Sequence, residues 1–448
     1  MSEKLLSVGL DVGTTSTQLV VSELKVENRA SGFAVPEMEI TRREILYRSP
    51  VFFTPLLEEK LVDGEKIRAI VEEEYRKAGI SRQQVDTGAI IITGETSRKE
   101  NARMVLSALS DHAGDFVVAA AGPDLESILA AKGAGAVDYS AQAGKTVLHM
   151  DIGGGTSNLA LIRDGKIVQT GCLNVGGRLV KYSERGAVIY RSPVLAGLTD
   201  IQLGEIPATQ QRLALADRLV QALEMAAGRR DPDDLLGKLM TEETQQPWRV
   251  PQEDVVVSFS GGVADCIRKD YPDLAFGDLG PELGRAIRKS RLCHGAYILG
   301  SETIRVTVIG AGCHSAQLSG STVYHQNIRF PLKNLPVVET EDFSLPGKVW
   351  ADQEGLLVLS FSGKQSPSYR EIAQMAEKIC SWIKPPILLC IQQDMAKALG
   401  QALAVRLPKE AAVLCIDRVR VGEGCYLDIG APVGSALPVV VKTLVISK

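Results

Sequence analysis

Residues 149–168, HMDIGGGTSNLALIRDGKIV, carry an apolar run into Asp151, then Gly153, Gly154, Gly155 and Thr156, before the chain turns apolar again. Residues 8–21, VGLDVGTTSTQLVV, repeat the arrangement with Asp11, Gly13, Thr14 and Thr15. A tight strand–turn–strand loop containing glycine aims successive backbone N–H groups at one point, and glycine omits the side chain that would hold a phosphate away. Thr14, Thr15 and Thr156 add hydroxyl donors. The aspartate at the strand end has a separate task, because Mg2+ keeps most of its waters and is held by one or two carboxylates plus phosphate oxygens. Asp11 and Asp151, facing one another across a cleft, would orient such a hydrated ion. One glycine-rich turn alone is more often a plain hairpin. Two of them followed by VVVSFSGGVADCI, residues 255–267, form a set. In that third stretch a backbone flattened at Ser260, Gly261 and Gly262 can lie against an adenine or ribose.

The bulk properties fit a multidomain enzyme-like chain. At 448 residues and 45% hydrophobic content it can bury more than one core. The 50 basic and 54 acidic residues leave a net charge of -4, which gives no electrostatic reason to expect nucleic acid or an anionic membrane as partner. No long uncharged apolar run occurs, and the apolar segment of MSEKLLSVGLDVG is too short for a signal peptide, so a soluble cytoplasmic protein is expected. Eight cysteines without a C-x-x-C pair point to a reduced compartment. The dipeptides Cys293-His294 and Cys313-His314 are poor zinc ligands, since zinc spacings usually leave two or more residues between ligands.

Along the chain, periodicity predicts a helix over 64–78, with Ile67, Ile70, Val71 and Tyr75 on one face, after an irregular polar stretch from Asn28 to about Tyr47. Residues 85–96 supply a buried strand ending at Gly94, 97–114 a helix closed by Gly114, and 115–137 a strand, a helix opened by Pro123 and a Gly-rich exit. Residues 145–177 read as a three-stranded meander with a hairpin at Asp164-Gly165. A helix follows between about Thr209 and Ala227, then an exposed loop from Gly228 to Arg249. Strand order and glycine placement therefore recur in both halves. Residues 301–448 alternate strands (TIRVTVIGAG, GLLVLSFSG, PPILLCI, AAVLCIDRV) with two helices, as further α/β structure does. Asp428 sits in YLDIGAPVG, which mimics the opening motif, but Pro432 and the missing threonine spoil a phosphate-cradling turn. The expected division is 1–144, 145–300 and 301–448.

The order of the three loops resembles the actin, Hsp70 and sugar-kinase ATPase superfamily. The resemblance implies an α/β fold of actin-like, ribonuclease H-like type in which two related domains clamp ATP and Mg2+. On this chain it makes Asp11 to Thr15 and Asp151 to Thr156 the phosphate loops, with Asp11 and Asp151 catalytic and holding Mg2+ through water. Ser260 to Gly262 become the adenosine loop. AGPDLESILAAKGAG and FGDLGPELGRAI are similar to the two interdomain connectors. Hsp70-like members place a glutamate directly before the proline of the first connector, where this chain has Gly122, with Asp124 nearby. That departure implies slow hydrolysis.

A fuller resemblance, over nearly the whole chain, is to the ethanolamine ammonia-lyase reactivating factor (EutA) family. It rests on GLDVGTTSTQLV, ITGETSRKENA, HMDIGGGTSNLALI, SETIRVTVIGAGCHSAQLSGSTV and PVVVKTLVIS. It implies ethanolamine ammonia-lyase, an adenosylcobalamin enzyme, as partner, and ATP-driven release of damaged cobalamin from it. A bacterial microcompartment setting and a homodimer are left open. The alternatives are a small-molecule sugar or acid kinase, or a generic Hsp70- or actin-like ATPase with another client.

Overall fold

The architecture is that of a computed structural model, which describes residues 2–443 apart from 14–15, 29–37, 59–60, 94–116, 121–122, 243, 245, 252–254, 301–302, 315, 320–321, 341–355, 420, 422–424 and 433–435. Met1–Ile92, Arg98–Ala120 and Gly312–Lys448 make one compact unit; Thr93–Ser97 and Ala121–Ala311 make the other.

The chain opens with β1 (Ser2–Val12) and β2 (Ser16–Asn28), a long antiparallel hairpin. Alternation places Val8, Leu10 and Val12 on one buried face with Leu19 and Val21, Val8 opposite Val21 and Leu10 opposite Leu19. β3 (Met38–Arg48) follows where irregular chain was expected. Its sequence MEITRREILYR offers no continuous apolar run because it is an edge strand, and its residues 42–44 are exposed. Short strands β4 (Phe52–Phe53), β5 (Leu56–Glu58) and β6 (Leu61–Val62) lead to helix α1 (Gly64–Ala78). Asp63 caps α1 by accepting from the Lys66 amide, and Gly79 ends it at φ +68°. Ile67, Val71 and Tyr75 bury its apolar face on the hairpin. β7 (Thr87–Ile92) and β8 (Val117–Ala120) complete the sheet, in the order β3-β2-β1-β7-β8 with β4 on β2.

The second unit starts with α2 (Pro123–Gly133) and α3 (Ala136–Ala143), then the expected meander β9 (Thr146–Ile152), β10 (Ser157–Arg163) and β11 (Lys166–Leu173). A small hairpin, β12 (Val180–Tyr182) and β13 (Val188–Arg191), precedes α4 (Thr209–Ala226). Within the stretch expected as exposed loop, α5 (Asp234–Leu239) forms because Leu235 and Leu239 find the core and Asp233 caps it. β14 (Val255–Ser260), α6 (Gly262–Arg268), α7 (Gly280–Lys289) and β15 (Tyr297–Leu299) follow. The five-stranded sheet runs β11-β10-β9-β14-β15.

Both sheets thus have three antiparallel strands in reverse chain order and then two parallel ones, with the first strand of each central. In the second unit Leu148, Met150 and Ile152 face a large core with α4, while Val147, Ala160 and Ile162 face Ala131 of α2 and Ala136 of α3.

α8 (Val306–His314) lies where TIRVTVIGAG predicted a strand. Val306, Val308, Ile309 and Ala311 are all buried, and a short helix apolar on every side carries no distinguishing period. Its packing is backbone to backbone: a Cβ on Gly310 would sit 2.0 Å from the Leu129 carbonyl oxygen of α2, and one on Gly133 1.9 Å from that of Val306.

An eight-stranded sheet closes the chain: β16 (Ala316–Leu318), β17 (Tyr324–Gln326), β18 (Leu332–Glu339), β19 (Val358–Phe361), β20 (Ile387–Ile391), β21 (Val413–Asp417), β22 (Cys425–Ile429) and β23 (Pro438–Thr443). Its order is β16-β23-β22-β18-β19-β20-β21-β17, with β18 to β21 mutually parallel. α9 (Tyr369–Trp382) and α10 (Ala396–Ala404) cover one face. Among the described residues no helix is long and apolar enough to cross a membrane.

Candidate functional site

In the second unit, β9 delivers Asp151 to the end of the central strand and the chain turns at once into β10. The Gly153 amide donates to the Thr156 carbonyl at 2.9 Å, which closes the hairpin and leaves Gly154 and Gly155 at its tip. Residues 176–178 brace it from behind: the Gly177 amide donates to Gly153 O at 3.1 Å and the Arg178 amide to Gly154 O at 2.6 Å. Gly176 must be glycine, because a Cβ there would meet Gly154 O at 2.4 Å. With the loop carbonyls held from behind, the amides of Gly154 and Gly155 donate to no acceptor among the described residues. That arrangement suits an anion.

The third predicted loop converges on the same place. β14 runs parallel to β9 with Ser260 level with Asp151. Gly261 follows at φ +85°, where a Cβ would lie 2.3 Å from Ile152 O, so the backbones of the two loops touch. Its amide donates to Thr303 O, and the Thr303 hydroxyl to Asp265 of α6. The structure therefore brings together Asp151, Gly153 to Thr156 and Ser260 to Gly262.

A row of polar side chains crosses the sheet at this level. Ser260 Oγ donates to Asp151 Oδ1 at 2.6 Å. On the other side Asn158, opposite Asp151 in the β9–β10 register, donates through Nδ2 to Glu126 Oε2 of α2 at 2.8 Å. Asn158 is buried, and its Oδ1 has no hydrogen-bond partner among the described residues. Asp151 itself is half-buried, and burial pushes its carboxyl from 3.8 up to about 6 despite the bond from Ser260.

The first unit repeats the hairpin. Gly13 N donates to Ser16 O at 2.8 Å, the counterpart of the Gly153–Thr156 bond, and Gly13 O is held by Thr54 Oγ1 at 2.7 Å. Asp11 lies two residues before that glycine, as Asp151 does, and pairs across the hairpin with Gln18 as Asp151 pairs with Asn158. Gln18 is also buried with an unpartnered carbonyl oxygen, Oε1. Thr14, Thr15 and Gly122 lie outside the described residues, as does the whole of the helix expected over 97–114.

Residues 3–447 match the family described as Ethanolamine utilisation protein EutA. The chain belongs to the EutA family. It is similar to the proteins named Ethanolamine ammonia-lyase reactivase EutA of Salmonella typhimurium strain LT2, 38% identical over 470 residues, and of Escherichia coli K12, 38% identical over 472 residues. Each alignment covers 99% of this chain and 99% of the relative. Over 60% of its length it is similar to 69% of the solved Ppx/GppA family member of Aquifex aeolicus, at 14% identity and TM-score 0.37.

Three residues of this EutA-family chain escaped the sequence reading. Asp124, the carboxylate singled out near Gly122, is exposed and accepts from Thr170 Oγ1 at 2.6 Å, whereas Glu126 two residues on reaches the Asn158 row. Asn158 was legible by pattern alone, since it is a polar residue two past Thr156 in a buried strand. His149, fully buried in β9, interrupts the apolar run in the same way.

Proposed function

We propose that this chain is an ATP-dependent reactivating factor for ethanolamine ammonia-lyase, releasing damaged cobalamin from the lyase so that intact cofactor can rebind. The observation that carries this reading is 38% identity along 99% of two proteins named as reactivases of that enzyme. The duplicated Asp-x-Gly hairpin supports the nucleotide part. Two hairpins closed by the same glycine bond, each with an aspartate at the same position, suit what a phosphate chain with Mg2+ requires.

The residues fit that load. The loop carbonyls of Gly153 and Gly154 are tied back, the tip amides are left for phosphate, and glycine stands where a side chain would fill the cradle. Asp151 and Asp11 would hold hydrated Mg2+, which when bound supplies positive charge to the phosphate oxygens. Ser260 to Gly262, beside the Asp151 loop, would meet the adenosine. Glu126, which accepts from Asn158, would orient the attacking water, and hydrolysis would be slow because Gly122 stands where Hsp70-like members have a glutamate. ATP can shift a conformational equilibrium only through different affinity for two states. Residues 312–448, which pack in the same unit as the first hairpin, are the candidate surface for the lyase.

The test is to mix lyase locked with cyanocobalamin, the purified chain, ATP, Mg2+ and adenosylcobalamin. Acetaldehyde should appear and the locked cobalamin be released only when all are present. Flat activity with normal ATP binding would leave an actin-like ATPase with another client. A turnover in the roughly 1 to 100 s⁻¹ range of kinases with glycerol, a pentose or acetate would favour the kinase alternative.

A further inference from the structure

His149 sits between two serines on the paired strands β9 and β14. Its Nδ1 is 3.0 Å from Ser258 Oγ, and its Nε2 is 2.9 Å from Ser260 Oγ. Ser260 Oγ in turn lies 2.6 Å from Asp151 Oδ1. The parallel register sets this up by placing Ser258 level with His149 and Ser260 level with Asp151. His149, Ser258 and Ser260 are all buried.

Counting protons gives the chain a single direction. An ionised Asp151 only accepts, so the one hydroxyl hydrogen of Ser260 goes to it. The Ser260 oxygen is then left to accept, and the N–H facing it is that of His149 Nε2. A neutral imidazole with its hydrogen on Nε2 carries none on Nδ1, which accepts from Ser258.

We propose that Ser258, His149 and Ser260 form a one-way relay that holds Asp151 in a single rotamer, Oδ1 against β14 and Oδ2 free to meet a water of the magnesium ion. His149 and Ser260 are positioning residues in this scheme, acting through Asp151. The proposal rests on the reading that Asp151 orients hydrated Mg2+, and it adds that Ser260 serves the metal side of the site more than the adenosine side.

The test uses the full chain and a fluorescent ATP analogue, titrated in EDTA and across a range of Mg2+ concentrations. Ser260→Ala should raise the Mg2+ concentration for half-saturation about 10-fold, the weight of one hydrogen bond to a charged group. Ser260→Thr, which keeps the hydroxyl, should return it to near the unsubstituted value. Ser258→Ala, one step further out and away from the nucleotide, should move it in the same direction by about 3-fold while affinity in EDTA stays within about 2-fold. Equal losses with and without Mg2+, or no rescue by threonine, overturn the relay. Asp151→Asn separates the two levels of argument. If Asp151→Asn abolishes the Mg2+ dependence and Ser260→Ala does not touch it, the relay is wrong and the nucleotide reading stands. If Asp151→Asn leaves it unchanged, both fall.

Discussion

At the scale of single residues, the proposed metal role asks Asp151 to be charged in surroundings that disfavour charge. Its folded value of about 6 lies above the ordinary 3.8, so it contributes stability below pH 4 that is lost as pH rises through 6. In nucleotide-free protein, unfolding by urea should show Asp151→Asn gaining on the unsubstituted chain between pH 4.5 and 7.5, by at most about 3 kcal/mol. Parallel pH curves would show that the carboxyl is better solvated than its position implies. His149 has the opposite sign: its value is depressed to about 3, so its contribution is present above 6.5 and lost as pH falls. In nucleotide binding, Asp151→Asn or Asp11→Asn should cost roughly 10- to 100-fold in Mg·ATP affinity by calorimetry. Glu126→Gln should leave that affinity within a few-fold while slowing single-turnover hydrolysis about 100-fold or more, the lower end of what one positioned general base contributes.

Among elements, the α2–α8 contact makes the sharpest prediction. Gly310→Ala would drive a Cβ into the Leu129 carbonyl, and Gly133→Ala one into that of Val306. Either should destabilise by about 1 to 3 kcal/mol in urea, against the helix propensity that alanine brings. Gly237→Ala in α5 meets nothing within 4 Å and should be neutral or gain up to about 1 kcal/mol, which makes it the control. The same contact shows where the sequence was legible. α1 was readable to the residue because it buries one face and exposes the other, which imposes a period, whereas β9 and β10 of the meander are buried on both faces and were readable from the turns that bound them, at Gly153 to Gly155 and Asp164-Gly165. α8 and β3 failed for opposite reasons: α8 is buried all round and β3 hardly at all, so neither has a period to read. The loops around Asp151 were legible from glycine placement. The carboxylate of Glu126 was not, because its role depends on which way α2 turns over the sheet.

Taken as a whole, the molecule should respond to nucleotide by mass action. A ligand at 100 times its Kd adds about 2.7 kcal/mol to the state that binds it, so saturating Mg·ATP should raise the melting temperature by several degrees. Asp151→Asn should blunt the rise at the same nucleotide concentration. A chain ending at residue 311 should fare worse than the loss of a separate domain would suggest, because residues 312–448 belong to the same compact unit as the first hairpin. Limited proteolysis of that fragment should cut residues 1–92 readily and spare 123–300. Equal protection of both would show that the N-terminal sheet stands without its C-terminal neighbour.

That discontinuity also sets a timetable for synthesis. The second unit is nearly continuous in sequence and is complete once residue 311 has left the ribosome. The first unit begins before it and cannot be finished until the last segment arrives, which at about 5 to 20 residues per second takes on the order of ten seconds. Through that interval the newborn chain carries a folded middle between an N-terminal sheet awaiting its partner and a stretch not yet made. Codon usage across residues 312–448 therefore bears on yield more than codon usage in the centre. Slowing that stretch should lower the soluble fraction, and supplying a holdase during expression should restore it.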